Sequence, residues 1–139
     1  MKLSSKGRYA VMALADLAKF DANEPVSLRD ISLRQGISLV YLEQLFLKLK
    51  KNKIVTSVRG NKGGYVLSKK ASEIKISDIF LAVGEKIKTI GCEKHLKQGC
   101  NGRSSKCITH DLWDELDDYI NDFFKKKNLD DLSKQTKFN

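Results

Sequence analysis

SLRDISLRQGISLVYLEQLFLKLKKN, residues 27–52, holds two helical patterns parted by Gly36-Ile37-Ser38. Ser27 is placed to cap the first pattern, Leu28 to Gln35, because its hydroxyl can take a free N–H of the opening turn. Gly36 is placed to end it, since a positive φ costs glycine least. Ser38 caps the second pattern, Leu39 to about Asn52. There Leu42, Leu45, Phe46 and Leu49 recur at i, i+3, i+4 and i+7, one buried stripe. In the first pattern Leu28 and Ile31 should face inward, with Leu33 as a further candidate. Two short helices joined by such a turn make a helix-turn-helix.

The other face of the second helix carries Val40, Tyr41, Glu43, Gln44 and Lys48, followed by Lys50, Lys51 and Lys53. Gln44 can pair two-pronged with adenine, Glu43 can accept from a cytosine amino group, and Val40 can touch a thymine methyl. Any one of these residues alone also reads as a solvated helix face. As a set behind a helix-turn they favour base recognition. The next stretch, IVTSVRGNKGGYVLS at 54–68, gives a strand from Ile54 to Arg59, a tip at Gly60–Gly64, and a second strand from Tyr65 to Ser68. A hairpin in that position is the wing of a winged helix. Arg59 and Lys62 put charge on it, where phosphates or a narrow minor groove attract cations. The glycines do not form a phosphate-binding loop, which needs Gly-Lys-Ser/Thr running from a strand into a helix.

Upstream, Tyr9, Met12, Ala13, Leu14, Leu17, Ala18 and Phe20 have helical spacing, with Ser4 or Ser5 as cap, and Asp21 to Pro25 breaks the pattern. Downstream, Ser77 should cap a short helix, Asp78 to Val83. Ile108 to Lys127 then forms a long amphipathic helix. Leu112, Trp113, Leu116, Tyr119, Ile120, Phe123 and Phe124 line one side, and Asp111, Asp114, Glu115, Asp117, Asp118 and Asp122 fill the rest. This stripe should both pack on the first helix and pair with a second subunit, because winged-helix readers commonly bind as dimers. Leu129 and Leu132 are the last anchors of a tail whose end should fray.

The chain is expected to be mainly α with a small β wing. Residues 1–70 would be the winged helix-turn-helix domain, and 71–107 a connecting helix with a cysteine-rich loop. Residues 108–132 would be a dimerisation helix region, and 133–139 a frayed tail. Charge follows the same division. Residues 1–70 hold 14 Lys and Arg against 5 Asp and Glu, whereas 71–139 hold 12 of each, so the whole formal charge of +9 sits in the first part. That asymmetry suits a nucleic-acid reader joined to a neutral sensing or pairing segment. No run of about 18 apolar residues suggests a membrane span. Arg8, Asp16 and Lys19 interrupt the apolar N-terminal stretch, which argues against a signal peptide and for a cytoplasmic protein. No paired carboxylates in a cleft-like setting and no nucleophile–base motif point to an enzyme.

All three cysteines and both histidines lie between Cys92 and His110, spaced Cys-x7-Cys-x6-Cys-x2-His with His95 in the first gap. Three thiolates and an imidazole suit zinc or an iron–sulfur centre. The blander reading is three thiols in a polar loop, which has little with which to bury them. In a reducing cytosol a metal role fits them better than disulfides.

Several of these blocks resemble one family. SKGRYAV at 5–11, DIS, RQGIS and YLEQLF through the helix-turn-helix, SVRG and GGY at the wing, and KC, TH and LW around Cys107–Trp113 are similar to the IscR-type iron–sulfur cluster regulators, a winged-helix family. The resemblance runs from Met1 to about Leu132. It implies a transcription regulator carrying a [2Fe–2S] cluster on Cys92, Cys100, Cys107 and His110. It also implies DNA contacts from Ser38, Tyr41, Glu43, Gln44 and Arg59, joined by the cationic Lys48 and Lys62 read from the pattern. Expected partners are a double-stranded operator, a second copy of the chain and cluster-assembly donor proteins. Three features depart from the family. Both gaps between cysteines are longer, Val40 stands where serine is usual, and Asn61 and Lys62 add charge at the wing tip. The longer gap leaves His95 as a competitor, while Cys-x2-His at a helix start favours His110. A thiol, nitric-oxide or zinc sensor using the same cysteines, or a purely structural zinc site, stays open beside the cluster.

Overall fold

The structure, a computed structural model, describes residues 4–86 and 108–135. Its elements are α1 (Ser5–Leu17), α2 (Leu28–Gln35), α3 (Leu39–Lys51), β1 (Val55–Val58), β2 (Gly64–Leu67), α4 (Ile76–Val83), α5 (His110–Lys126) and α6 (Leu129–Gln135). The helix-turn-helix forms for the local reasons its sequence suggests. Ser27 Oγ accepts from the Asp30 amide at 3.1 Å, and Ser38 Oγ from the Tyr41 amide at 3.4 Å. Gly36 closes α2 at φ 67°. Leu42, Leu45, Phe46 and Leu49 are all buried. Leu33 is not an inner residue: it is 76% exposed. Two positions from Ile31 is about 200° around a helix, so the two cannot share a face.

Helix α1 is capped from far along the chain. Ser4 does not cap it with its own hydroxyl. Instead the Glu85 carboxylate, just past α4, accepts the Ser4 amide at 2.6 Å and the Ser4 hydroxyl as well. A carboxylate there answers both the free amide and the positive end of the helix. Gly7, one turn on, leaves room for that contact. A Cβ at Gly7 would lie 2.9 Å from Glu85 Cγ and 2.9 Å from the Phe80 ring.

The wing is an antiparallel pair running from Val55 opposite Leu67 to Val58 opposite Gly64. It is shorter than expected at both ends, since Ile54 and Arg59 fall outside the ladder. Val26 bonds Tyr65 in both directions, at 3.0 and 2.8 Å, and so pins the wing to the segment before α2. Gly63 and Gly64 are steric necessities. A Cβ would sit 2.4 Å from the Val58 carbonyl oxygen in the first case and 2.3 Å from that of Val26 in the second.

Helix α4 begins earlier than its sequence suggests. Ser77 lies inside the first turn and caps nothing, and the cap position is Lys75, which has no side-chain cap bond. The Ile76 amide is satisfied by the Lys127 carbonyl at 2.9 Å, and the Leu129 amide returns to the Ile74 carbonyl at 3.1 Å. A backbone tie therefore replaces the side-chain cap. The chain after α5 does not fray at once. Asn128 and Asp131 cap each other's amides at 3.0 Å each, α6 follows, and Leu129 is fully buried. Residues 136–139 lie outside the described residues.

One core joins these pieces. Ala10, Ala13, Leu14 and Leu17 of α1 meet Ile31, the α3 stripe, Ile79 and Val83 of α4, and Leu129. Helix α5 lies on α4, with the Phe80 and Phe124 rings edge to face at 4.9 Å, while α4 and α6 cover α1. The α5 stripe consequently splits in two. Ile120 and Phe124 pack on the core, and Leu112, Leu116, Tyr119 and Phe123 remain exposed.

Candidate nucleic-acid interface and ligand-bearing helix

The buried stripe of α3 turns its other face outward. Ser38, Val40, Glu43, Gln44 and Lys48 are exposed there. So is Leu47, seven residues beyond Val40. Tyr41 differs from the expectation. It is half-buried, its hydroxyl lies 3.0 Å from Ser5 Oγ, and its ring meets Tyr9 edge-on at 5.9 Å. Its position in the first turn of α3 explains this, because the same turn that faces outward also borders α1. Lys50, Lys51 and Lys53 at the end of α3, and Arg59 and Lys62 on the wing, are exposed. The basic excess is thus displayed at the surface.

The direction of this face depends on a carboxylate inside α1. Asp16 is 2% exposed. Arg34 donates to it from Nε at 3.2 and 3.0 Å and from Nη2 at 2.7 Å, and Gln35 Nε2 donates at 2.7 Å. The Arg34 guanidinium also lies over the Phe20 ring, 5.0 Å from its centre. Burial pushes the Asp16 carboxyl up. The hydrogen bonds from Arg34 and Gln35, with the charges of Arg34 and Lys19, outweigh burial and hold it below the usual carboxylate range. In the sequence Asp16 looked like an interruption of an apolar pattern. The available signal was an acid on the inner face of one helix and Arg-Gln at the end of the next.

His110 opens α5 and is 3% exposed. Neither ring nitrogen has a hydrogen-bond partner among the described residues. Asp114 Oδ2 stands 3.1 Å from Nε2, but out of line for an N–H to reach it. Cys92, His95, Cys100 and Cys107 lie outside the described residues. Among the described residues no group of three His, Cys, Asp or Glu gathers around one point. None of their helices is long and apolar enough to cross a membrane.

A helix-turn-helix with an exposed reading face, followed by a two-stranded wing, defines a winged-helix DNA-binding transcription regulator. Comparison with known proteins agrees and narrows the class. The family described as Rrf2, iron-dependent transcriptional regulator, matches residues 3–135, and the chain belongs to that family. It is 50% identical over 132 residues to the HTH-type transcriptional regulator IscR of Pectobacterium carotovorum, covering 95% of this chain and 79% of that one. The IscR of Photorhabdus laumondii is 49% identical over the same share. Among solved structures, T. potens IscR superposes with a TM-score of 0.78 at 35% identity, covering 99% of this chain and 89% of that one. CymR, the global cysteine regulator of B. subtilis, superposes at 0.81 with 29% identity, covering 98% of each chain. The chain is an IscR-like regulator and not an enzyme.

Asp16→Asn should lower stability at neutral pH by about 1–3 kcal/mol, because a charge-assisted network becomes a neutral one. A carboxyl held low in the folded state stabilises above its unfolded pKa, and that stabilisation is lost as pH falls through the folded value. Urea unfolding should therefore show a steeper loss below roughly pH 4 for wild type than for the variant. Equal acid slopes would mean that Asp16 does not carry this network.

Proposed function

We propose that this regulator reports iron–sulfur cluster status through a [2Fe–2S] cluster held by Cys92, Cys100, Cys107 and His110. The observation that carries the proposal is His110. Among the described residues neither nitrogen of this buried imidazole has a hydrogen-bond partner, Asp114 standing close but out of line, and a metal bond would satisfy one of them. His110 follows Cys107 by three residues, so the donor set of thiolates plus one imidazole converges in sequence on the start of α5. When bound, the cluster supplies a redox-active centre whose presence depends on iron and sulfide supply. The chain's own contribution is mechanical. His110 ties the ligand segment to α5, α5 lies on α4, and α4 shares one core with α1 and α3. Cluster binding there would shift the population of reading geometries. Cluster-assembly donor proteins would load the site, and a reducing cytoplasm would keep the thiols available.

The DNA partner is a double-stranded operator. Ser38, Tyr41, Glu43 and Gln44 would read it from α3. Lys48, Arg59 and Lys62 would hold phosphates or enter a groove. The protein would act as a homodimer. The support is the exposed row Leu112, Leu116, Tyr119 and Phe123, a single apolar stripe along one helix.

Three experiments test these parts. For the ligands, anaerobically reconstituted protein should bind iron and sulfide. Replacing any one of the three cysteines should abolish a stable cluster. His110→Ala should leave it labile, and His95→Ala should change little. Zinc without sulfide in wild type would overturn the cluster, and loss on His95→Ala alone would move the fourth ligand. For DNA, Arg59→Ala should weaken operator binding by about 1–3 kcal/mol, and Gln44→Ala should mainly relax sequence preference. Wild-type titrations for both variants would show the reading surface to be misassigned. For assembly, Tyr119→Asp places a charge on the exposed row without entering the core, whereas Ile120 is partly buried and would confound the test. Sedimentation of Tyr119→Asp should show monomer, and an intact dimer would rule this face out.

A further inference from the structure

Val40 is a branched apolar side chain in the first turn of α3, and it is 63% exposed. It takes no part in the core or among the partly buried residues around it. A β-branched residue gains nothing in helix propensity there either. Its neighbours on the outer face, Glu43 and Gln44, lie three and four positions on, one turn along the same side. In the same turn Leu42 is buried, Tyr41 is drawn toward α1 by Ser5 and Tyr9, and Leu39 is less exposed than Val40. The leading edge of the reading face is therefore apolar and ends in methyl groups. In the major groove only one base edge offers an apolar partner, the C5 methyl of thymine. The N-terminal residues of a recognition helix are the ones that reach base edges.

We propose that Val40 is a specificity-determining residue that reads a thymine methyl, on the same base pair as the adenine taken by Gln44 or on a neighbouring one. This rests on the reading face proposed above. One helical turn separates the two side chains by about 6 Å along the axis, within the span of two base-pair steps. The contact removes one methyl and the tip of a valine from water and satisfies no hydrogen bond. It should discriminate thymine from uracil as well as from cytosine.

The test begins with selection of a preferred duplex by the full chain from a random pool. Thymines of the selected duplex are then replaced one at a time by uracil, which removes only the methyl. For wild type, at least one replacement should weaken binding roughly fourfold, the equivalent of about 0.8 kcal/mol for one buried methyl. Val40→Ser, a change at an exposed site, should bind the thymine and uracil duplexes equally at that position. It should keep the wild-type response at every other thymine. Equal binding of all uracil duplexes by wild type overturns the proposal, and so does a Val40→Ser protein that still distinguishes the two bases there. Selection that enriches no sequence overturns the reading face itself, and this inference with it. An enriched sequence indifferent to uracil overturns only the role of Val40.

Discussion

A single buried carboxylate sets the geometry on which the reading face depends. Asp16 projects from the inner face of α1 toward the end of α2. The Arg34 fork and the Gln35 amide meet Asp16 in directions fixed by planar groups, so one orientation of α2 satisfies them all. Helix α3 follows α2 after only a short turn, and its outward face inherits that orientation. Burying the charge carries a desolvation cost, which the partly exposed Arg34 and four close donor contacts offset. Angular definition is what the arrangement gains.

Helix α3 then serves two environments with one sequence. Its inner stripe is filled by leucine and phenylalanine, and its outer face mixes amide, carboxylate, methyl and ammonium groups. Tyr41 sits on the border and belongs partly to each. Its hydroxyl is held by Ser5, so any base contact it makes comes from a ring already fixed by α1. The wing is ordered by a different rule. Gly63 and Gly64 allow backbone to approach backbone where any side chain would collide: Gly63 closes the tip on Val58 and Gly60, and Gly64 lets the start of β2 lie against Val26.

What the sequence made legible was local. Ser27, Gly36 and Ser38 act within four residues of their partners, and the α3 stripe follows from helix periodicity alone. Most of what it hid was distant. Glu85 caps a helix 81 residues away. Asp16 finds its partners at the far end of α2, across a loop and the length of that helix. The start of α4 is satisfied by a carbonyl beyond α5, which made Ser77 look like a cap it is not. Leu33 fails as an inner residue for a simpler reason, its angular place on α2. The Asn128–Asp131 reciprocal cap was local and readable, and the polar composition around it obscured it. At the candidate site, His110 was marked by its spacing from Cys107. Its burial depends on how the chain packs, and no spacing rule contains that.

The Glu85 contact with Ser4, and the glycine at position 7 that admits it, bear on how such chains can be recombined. Residues 1–70 carry the helix-turn-helix and the wing, but they do not carry the cap of their own first helix. The inner face of α1 is completed by Ile79 and Val83 from α4 and by Leu129 from beyond α5. The amino-terminal part is therefore not a module that can be cut out and joined to another regulator. A chimaera with its seam at residue 70 would have to bring an acid to meet Ser4, an aromatic ring that tolerates only glycine at 7, and a leucine from the far end of the chain. The outer face of α3 is different, because its exposed side chains can change without disturbing any of these seams.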